Sequence, residues 1–114
     1  MKYCNSLTKY SRFKTREVKV GNLVFGGDNP IHIQSMTTTD TMDTDATVAE
    51  SIRMIDAGCK LVRITAPSKK EAVNLQIIKD QLRAKGYYTP IVADIHYTPK
   101  AAEIAARIVE KVRI

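Results

Sequence analysis

The strongest constraint on the fold is a threefold alternation of short apolar segments with longer helical patterns, joined by connections of a few residues. β-Branched and other apolar residues dominate the short segments, whereas the longer ones repeat apolar side chains every three or four positions. Strands that alternate with helices in this way lie parallel in one sheet and are joined by right-handed crossovers. The sequence therefore predicts an α/β fold with strands at 31–36, 61–65 and 91–95 and the start of a fourth at 112–114.

Capping signals mark the ends of the predicted helices. Asp43 or Thr44 can cap the first helix. Ser68 and Glu71 match a capping box for the second, and Thr98 precedes a proline in the first helical position of the third. Helices are predicted at about 45–57, between Ser68 and Gly86, and from Pro99 to about Lys111. Their side chains expected to face the sheet are Val48, Ala49, Ile52 and Ile55, then Ala72, Leu75, Ile78 and Leu82, then Ala102, Ala105, Ala106 and Val109.

A β-hairpin is predicted immediately before the first of these strands. The segments 18–20 and 23–25 flank Gly21 and Asn22, which accept the positive φ angles of a two-residue hairpin turn. The glycine-rich segment 26–30 then ends the ribbon.

The positive charge of the chain is concentrated in an N-terminal arm. Residues 1–19 hold six basic side chains and one acidic one, whereas residues 20–114 hold twelve and eleven. A hydrophobic fraction of 44% argues against a disordered tail, and no apolar run approaches the roughly 20 residues of a membrane helix. Because the body is nearly neutral and lacks an aromatic RNA-recognition motif, we expect neither a nucleic-acid nor a membrane partner.

Alternation along the predicted strands assigns side chains to the two faces of the sheet. Helices cover one face, so every second residue there must be apolar. The residues assigned to the helix face are Ile31, Ile33, Val62, Ile64, Ala93, Ile95, Val112 and Ile114. The residues assigned to the opposite, inward face are His32, Gln34, Met36, Arg63, Thr65, Asp94, His96 and Arg113. Each strand thus directs a polar or ionisable side chain inward near its carboxyl end.

This inward set is chemically unusual for a core. Buried charges are costly unless they are paired or solvated, but the carboxyl ends of the strands in a parallel barrel form active sites. Arg63 and Arg113 suggest an anionic ligand, because guanidinium groups match phosphate or carboxylate oxygens in pairs. Asp94 and His96 offer a carboxylate and a titratable imidazole for orientation or proton transfer.

Structural interpretations stay open beside these functional ones. Arg63 and Asp94 lie on neighbouring strands and could form only a buried ion pair. Arg113 is close to the chain end and could be exposed, and His32 at the start of its strand is expected to be structural. The threonine-rich segment 37–44 could bind an anion or serve as an ordinary polar connection.

Metal and thiol chemistry receives little support. Asp40, Asp43 and Asp45 could form a cation site, although acids that cap a helix are the favoured explanation. Cys4 and Cys59 lie far apart, without a Cys-x-x-Cys pair or zinc-ligand spacing, which favours reduced structural thiols. These thiols and the lack of a secretory apolar segment in the arm predict a cytoplasmic protein.

Four motifs carry a resemblance to a known family. They are Ile33-Gln34-Ser35-Met36-Thr37, Leu61-Val62-Arg63-Ile64-Thr65, Ile91-Val92-Ala93-Asp94-Ile95-His96 and Val112-Arg113-Ile114. In this order and spacing they closely resemble the N-terminal barrel of the 4-hydroxy-3-methylbut-2-enyl-diphosphate synthases, from about Tyr10 to the last residue. The segments 10–16 and 36–41 are most similar to the longer, three-domain form found in plastids and some bacteria.

The resemblance implies a partial (β/α)8 TIM barrel over residues 18–114, with about three and a half βα units after the hairpin and a basic arm at 1–17. It implies a barrel mouth that binds 2-C-methyl-D-erythritol 2,4-cyclodiphosphate. The family reduces this substrate to 4-hydroxy-3-methylbut-2-enyl diphosphate in the non-mevalonate pathway of isoprenoid biosynthesis. Its electrons come from ferredoxin or flavodoxin through a [4Fe-4S] cluster in a C-terminal domain.

The same resemblance suggests individual roles. The residues that match the family's substrate-binding positions are Arg63 and Arg113, associated with the diphosphate, and Gln34, Met36 and Thr37 from the first strand. Asp94 and His96 match the pair that lines the pocket and are the candidate catalytic residues. Neither cysteine matches a ligand of the cluster.

The departures from the family are also informative. The family continues after the fourth strand with Asn-Pro-Gly-Asn, the rest of the barrel and the cluster cysteines, none of which this sequence contains. We therefore expect an inactive fragment of a longer oxidoreductase, without a cofactor of its own, that self-associates through open strand edges. The alternatives are another phosphate-binding barrel, similar to dihydropteroate synthase, and a basic nucleic-acid-binding module that uses the arm.

Overall fold

The computed structural model describes residues 6–114, and within them strands and helices follow one another as the sequence predicts. The expectations for residues 1–5, including Cys4, lie outside this range. The elements are β1 (Val18–Val20), β2 (Leu23–Phe25), β3 (Gln34–Met36), α1 (Thr44–Asp56), β4 (Leu61–Ala66), α2 (Lys69–Ala84), β5 (Ile91–Ile95), α3 (Pro99–Ala106) and β6 (Lys111–Arg113).

The four strands β3, β4, β5 and β6 form one parallel sheet in the order of the chain, and β1 and β2 form a separate antiparallel hairpin. The register places Met36 beside Arg63, and Asp94 between Thr65 and Arg113. Over the described residues the sheet is open, with β3 and β6 at its edges. The predicted α/β class is confirmed, and the open parallel sheet is that of a partial barrel.

The hydrophobic core lies between the sheet and the helices. Val62, Ile64 and Ala93 are fully buried on the helix face, as alternation predicts, and Val112 packs against the same cluster. The predicted apolar stripe of α2 is also confirmed, since it is buried throughout; its members are Ala72, Leu75, Ile78 and Leu82.

Three apolar residues assigned to the helix face are exposed instead. Ile31 and Ile33 are 87% and 65% exposed, because the strand begins only at Gln34 and α1 packs mainly against β4 and α2. None of the described helices therefore covers the start of β3. Ile114 follows the end of β6 and is also exposed. For these residues the face assignment was wrong.

Two of the helices differ in detail from the prediction. On α1, Ala49 is exposed, whereas Thr47 and Ser51 are buried, and the Ser51 hydroxyl donates to the Thr47 carbonyl oxygen at 2.8 Å. That internal hydrogen bond removes the cost of burying the hydroxyl. Helix α3 ends at Ala106 rather than near Lys111, because the chain must turn before β6 begins, and Ala106 is exposed. Val109 stays buried in that turn.

The structure shows the predicted side-chain cap at α1 but not at α2 or α3. The Asp43 carboxylate accepts a hydrogen bond from the Ala46 amide and caps α1. The prediction of a capping box at α2 is wrong. The Ser68 hydroxyl donates to the Glu71 carboxylate, and the Ser68 side chain makes no hydrogen bond with the backbone amides of the first turn. Thr98 precedes α3, but its hydroxyl donates to the Pro67 carbonyl oxygen at 3.2 Å.

The hairpin packs against the sheet face that the helices leave open. Val20 joins Leu61 and Val92 in a second buried cluster near the amino ends of β4 and β5. His32 makes two contacts with the hairpin. Its Nε2 lies 2.8 Å from the Val24 carbonyl oxygen, and its ring packs edge-on against the Phe25 ring. The inward face is thus apolar and covered at its amino end, which leaves the carboxyl end for the polar side chains.

The basic arm is held where it enters the hairpin. The Gly27 amide donates to the backbone and side-chain oxygens of Thr15, at 3.1 and 3.0 Å. Gly26 has φ +86°, and a Cβ there would lie 2.1 Å from the Arg16 carbonyl oxygen, so the close approach requires glycine. The boundary between an arm and a barrel domain at residues 17 and 18 stays a prediction. Among the described residues, no helix has the length and apolar character needed to cross a membrane.

Candidate active site

The inward charged residues converge on the Asp94 carboxylate at the carboxyl end of β5. Oδ1 of Asp94 accepts a hydrogen bond from Nη1 of Arg113 at 2.7 Å. Oδ2 lies 3.5 Å from Nε of Arg63 and 3.5 Å from Nε2 of His96. The parallel register brings these side chains together, because Asp94 pairs with Arg113, and Arg63 lies on β4 two residues before Thr65, the other partner of Asp94. The structure therefore brings together four of the inward residues, which we call the Asp94 cluster: Arg63, Asp94, His96 and Arg113.

The Asp94 cluster is buried at its centre and open at its rim. The Asp94 side chain is 3% exposed, whereas those of Arg63, His96 and Arg113 are 28%, 44% and 56% exposed. The two guanidinium groups therefore keep donor groups toward solvent while each contacts the carboxylate. A ligand can reach them without disturbing the core.

Electrostatics keep the central carboxyl ionised. Burial raises the pKa of Asp94, but the hydrogen bond from Arg113 and the positive charges of Arg63 and Arg113 outweigh this effect. The pKa of Asp94 therefore lies below its usual value. One carboxylate cannot neutralise two guanidinium groups, so the cluster carries net positive charge. The arrangement is thus more than an isolated Arg63–Asp94 ion pair.

The three candidates from the first strand differ in their relation to the Asp94 cluster. Met36 contacts it, since Nε of Arg63 lies 3.4 Å from the Met36 sulfur. Thr37 is buried and its amide donates to the Arg63 carbonyl oxygen at 3.0 Å, while its buried hydroxyl has no hydrogen-bond partner among residues 6–114. Gln34 is exposed and pairs with Leu61, two residues further from the carboxyl end. The structure therefore does not bring Gln34 to the cluster.

Glu50, which the sequence analysis missed, holds the threonine-rich loop beside the Asp94 cluster. The carboxylate of Glu50 on α1 accepts hydrogen bonds from the amides of Thr38 and Thr39, at 3.0 and 3.2 Å, and from the Thr38 hydroxyl at 2.9 Å. Burial raises the pKa of Glu50, but these hydrogen bonds lower it further. The amides of Thr38 and Thr39 are therefore occupied within the chain and do not bind an anion.

Asn74 on α2 holds the same loop from its other end. Its side-chain nitrogen donates to the Thr41 carbonyl oxygen at 2.7 Å and to the Thr44 hydroxyl at 2.9 Å. The Thr41 hydroxyl in turn donates to the Thr65 carbonyl oxygen of β4 at 2.6 Å. The one signal in the sequence was a polar residue beside the apolar stripe of α2, between Ala72 and Leu75.

Replacing Asn74 with leucine is expected to lower the free energy of unfolding by about 1–3 kcal/mol, because it leaves buried acceptors in the loop without a donor. Urea unfolding of the chain measures this difference. The matched control is Gln76→Leu on the exposed face of the same helix, where we expect a change within about 0.5 kcal/mol. Equal effects of the two substitutions would show that Asn74 does not hold the loop.

The described residues do not provide a metal centre. Residues 6–114 contain no group of three His, Cys, Asp or Glu side chains arranged to hold a metal ion. Of the three acids considered, Asp43 caps α1 and Asp45 lies in its first turn, as the capping explanation predicts, whereas Asp40 accepts the Met42 amide at 2.9 Å in the preceding turn. The Cys59 thiol is buried and donates to the Leu61 carbonyl oxygen at 2.8 Å. These residues do not fit a [4Fe-4S] cluster.

Comparison with known proteins agrees with this geometry. The model of the GcpE TIM-barrel domain matches residues 15–114. A relative from Akkermansia muciniphila is 54% identical over 112 residues, which cover 98% of this chain and 19% of the relative. A relative from Parabacteroides distasonis is 54% identical over 105 residues, covering 92% and 17%. Both are named 4-hydroxy-3-methylbut-2-en-1-yl diphosphate synthase (flavodoxin).

The extent of the match limits what it shows. The chain spans less than a fifth of the length of these relatives. The domain match nevertheless covers nearly all of this sequence, including every strand and helix described above. The chain belongs to the GcpE TIM-barrel family.

Proposed function

We propose that this chain forms the N-terminal part of a 4-hydroxy-3-methylbut-2-en-1-yl diphosphate synthase and contributes part of its substrate site. The substrate would be 2-C-methyl-D-erythritol 2,4-cyclodiphosphate. The observation that carries the proposal is the Asp94 cluster, in which two arginines meet one buried carboxylate at the carboxyl end of a parallel sheet. Family membership supports the same function and disfavours both the dihydropteroate-synthase-like barrel and the nucleic-acid module.

In this proposal Arg63 and Arg113 bind the diphosphate. Their guanidinium groups carry paired donors that suit phosphate oxygens, and both side chains are partly exposed. Asp94 holds them in place before the substrate arrives. Met36 supports Arg63 through its sulfur, and Thr37 supports the same strand through its amide. Gln34, which is exposed at the start of β3, is proposed as a further substrate contact.

Asp94 and His96 would carry the acid–base part of the reaction. Nε2 of His96 faces the Asp94 carboxylate, so Nδ1 is the nitrogen left to exchange a proton with a substrate oxygen. An ionised Asp94 fixes the orientation of the imidazole. The ring-opening reaction also releases water, which requires a proton at the departing oxygen.

The redox part of the reaction would belong to the remainder of the longer protein. A [4Fe-4S] cluster supplies two electrons in the proposed chemistry, and no residue described here fits as its ligand. The names of the relatives include flavodoxin, and we propose flavodoxin as the electron donor, with ferredoxin as the alternative. The buried reduced thiol of Cys59 is in keeping with a cytoplasmic enzyme. The open edges at β3 and β6 lead us to propose that the chain alone self-associates.

A chimera tests the proposal. This chain would replace the matching segment of the Akkermansia muciniphila relative, and we expect the chimera to convert the cyclic diphosphate when supplied with reduced flavodoxin. Arg63→Ala should then weaken substrate binding by about 100-fold, because a paired charge-assisted contact to the diphosphate is lost. Isothermal titration measures the affinity.

Arg107→Ala serves as the control, because Arg107 is exposed at the end of α3 and lies outside the Asp94 cluster. We expect no change in affinity for this variant. Unchanged affinity in Arg63→Ala would contradict the role given to Arg63.

A further inference from the structure

Tyr97 has an unfavourable backbone conformation. Its φ angle is +59°, and it is the sole non-glycine residue with a positive φ in the described part of the chain. The left-handed region costs free energy for any residue with a Cβ, and bulky residues are rare there. At five other positions with positive φ this chain uses glycine. Tyrosine at position 97 is therefore an exception that the turn itself does not require.

The side chain of Tyr97 offers no compensation within the fold. It is fully exposed to solvent, so the aromatic ring buries no surface on folding and contributes no hydrophobic stabilisation. Glycine or asparagine would adopt the same turn at a lower cost. Strained residues of this kind cluster at functional sites, where the conformation serves binding rather than folding.

Tyr97 lies at the rim of the Asp94 cluster. It follows His96 directly, and the centroids of the two rings are 6.4 Å apart. The next residue holds this turn in place, because the Thr98 hydroxyl lies within hydrogen-bonding distance of the carbonyl oxygens of Pro67 and His96. The strained backbone thus presents an exposed aromatic ring beside the imidazole of the Asp94 cluster.

We propose that Tyr97 is a substrate-contact residue that packs on the hydrocarbon part of an anionic substrate whose charged groups bind Arg63 and Arg113. This inference rests on the proposed function and adds a specificity determinant to it. The arginines recognise charge alone, whereas the ring recognises a carbon skeleton attached to that charge. The site therefore prefers an organic diphosphate to inorganic diphosphate.

The test uses the chimera with the cyclic diphosphate and inorganic diphosphate as two probes. Tyr97→Gly removes the ring and relieves the backbone. We expect a thermal midpoint equal to or above that of the parent chimera, together with about 10-fold weaker binding of the cyclic diphosphate. Binding of inorganic diphosphate should stay within twofold of the parent. Tyr97→Phe should keep both affinities, because the ring and not the hydroxyl makes the contact.

Tyr88→Ala is the control, since Tyr88 is an exposed tyrosine before the opposite, amino end of β5. It should leave both affinities unchanged. Parent-like binding of the cyclic diphosphate by Tyr97→Gly would overturn the assignment of Tyr97 and leave the proposed function standing. Equal weakening of both probes would also overturn it. A parent chimera that does not bind the cyclic diphosphate would contradict the proposed function itself and this inference with it.

Discussion

Replacing Asp94 with asparagine is expected to lower the turnover of the chimera by about 10²- to 10⁴-fold, the usual range for the loss of a positioned acid–base group. Affinity for the cyclic diphosphate should change by less than about 10-fold. Asparagine keeps the size of the side chain and one acceptor oxygen but loses the negative charge. Arg63 and Arg113 then face each other without an anion between them, and His96 loses the carboxylate that orients it.

Binding and turnover separate because the substrate brings its own negative charge. In the variant, the diphosphate compensates the two guanidinium groups that Asp94 no longer neutralises, so binding is largely kept. Nothing replaces the carboxylate at Nε2 of His96, so proton transfer is lost. The lowered pKa of Asp94 keeps the parent carboxylate charged throughout the neutral range.

Steady-state turnover and substrate titration of the chimera measure the two quantities separately. Asp80→Asn on the exposed face of α2 is the matched control and should change neither. A loss of affinity as large as the loss of turnover would show that Asp94 only holds the arginines.

The parts of the fold that follow from local pattern could be predicted from the sequence. The α2 stripe and the helix face of β4 and β5 are confirmed, because each is set by strong periodicity within one element. Ile31, Ile33 and Ala49 were misassigned, because their burial depends on which helix covers which strand. That is a property of the assembled layers and not of any one segment.

The members of the Asp94 cluster could be predicted from the sequence, whereas several residues around it could not. Alternation indicated its four members, since it assigns them to one face of the sheet, and neighbouring parallel strands share that face. The roles of Glu50 and Asn74 were not predicted, because their hydrogen-bond partners lie in the threonine-rich loop, and hydrophobic periodicity does not predict the backbone path of a loop. Tyr97 was not predicted as a candidate residue for another reason. It stands out only by its positive φ angle, and a tyrosine after a strand does not indicate a positive φ in the sequence.

Glu110, in the turn before β6, joins α2 to β5 through its carboxylate, on the helix side of the sheet and away from the Asp94 cluster. Oε1 lies 2.8 Å from Nη2 of Arg83 and 3.2 Å from Nζ of Lys79, both on α2. Oε2 accepts the amide of Ile91, the first residue of β5, at 2.9 Å. Burial raises the pKa of Glu110, but the hydrogen bonds from the Ile91 amide and from Lys79, and the charge of Lys79, lower it below its usual value.

Glu110→Gln is therefore expected to lower the free energy of unfolding by about 2–3 kcal/mol at neutral pH. Lys79 and Arg83 lose their anionic partner at a partly buried site, so the expected loss of stability is smaller than for a fully buried ion pair. A carboxyl whose pKa is lowered by folding stabilises the fold above its unfolded pKa of about 4.3, and that stabilisation is lost as the pH falls through the folded value. The difference between parent and variant should thus be full at pH 7 and shrink in acid below about pH 4.

Urea unfolding of the chain at pH 7 and at low pH measures this difference, and Glu103→Gln provides the matched control. Glu103 pairs with Lys100 at 3.2 Å on the exposed face of α3, and exposed pairs of this kind contribute about 0–1 kcal/mol. A Glu110 variant no less stable than the Glu103 variant would show that the carboxylate does not hold α2 against β5. A deficit that stayed constant into acid would show that its charge plays no part. Both substitutions remove one carboxylate charge and keep the side-chain length, so a larger loss at Glu110 isolates the contribution of burial and of the contact with the strand.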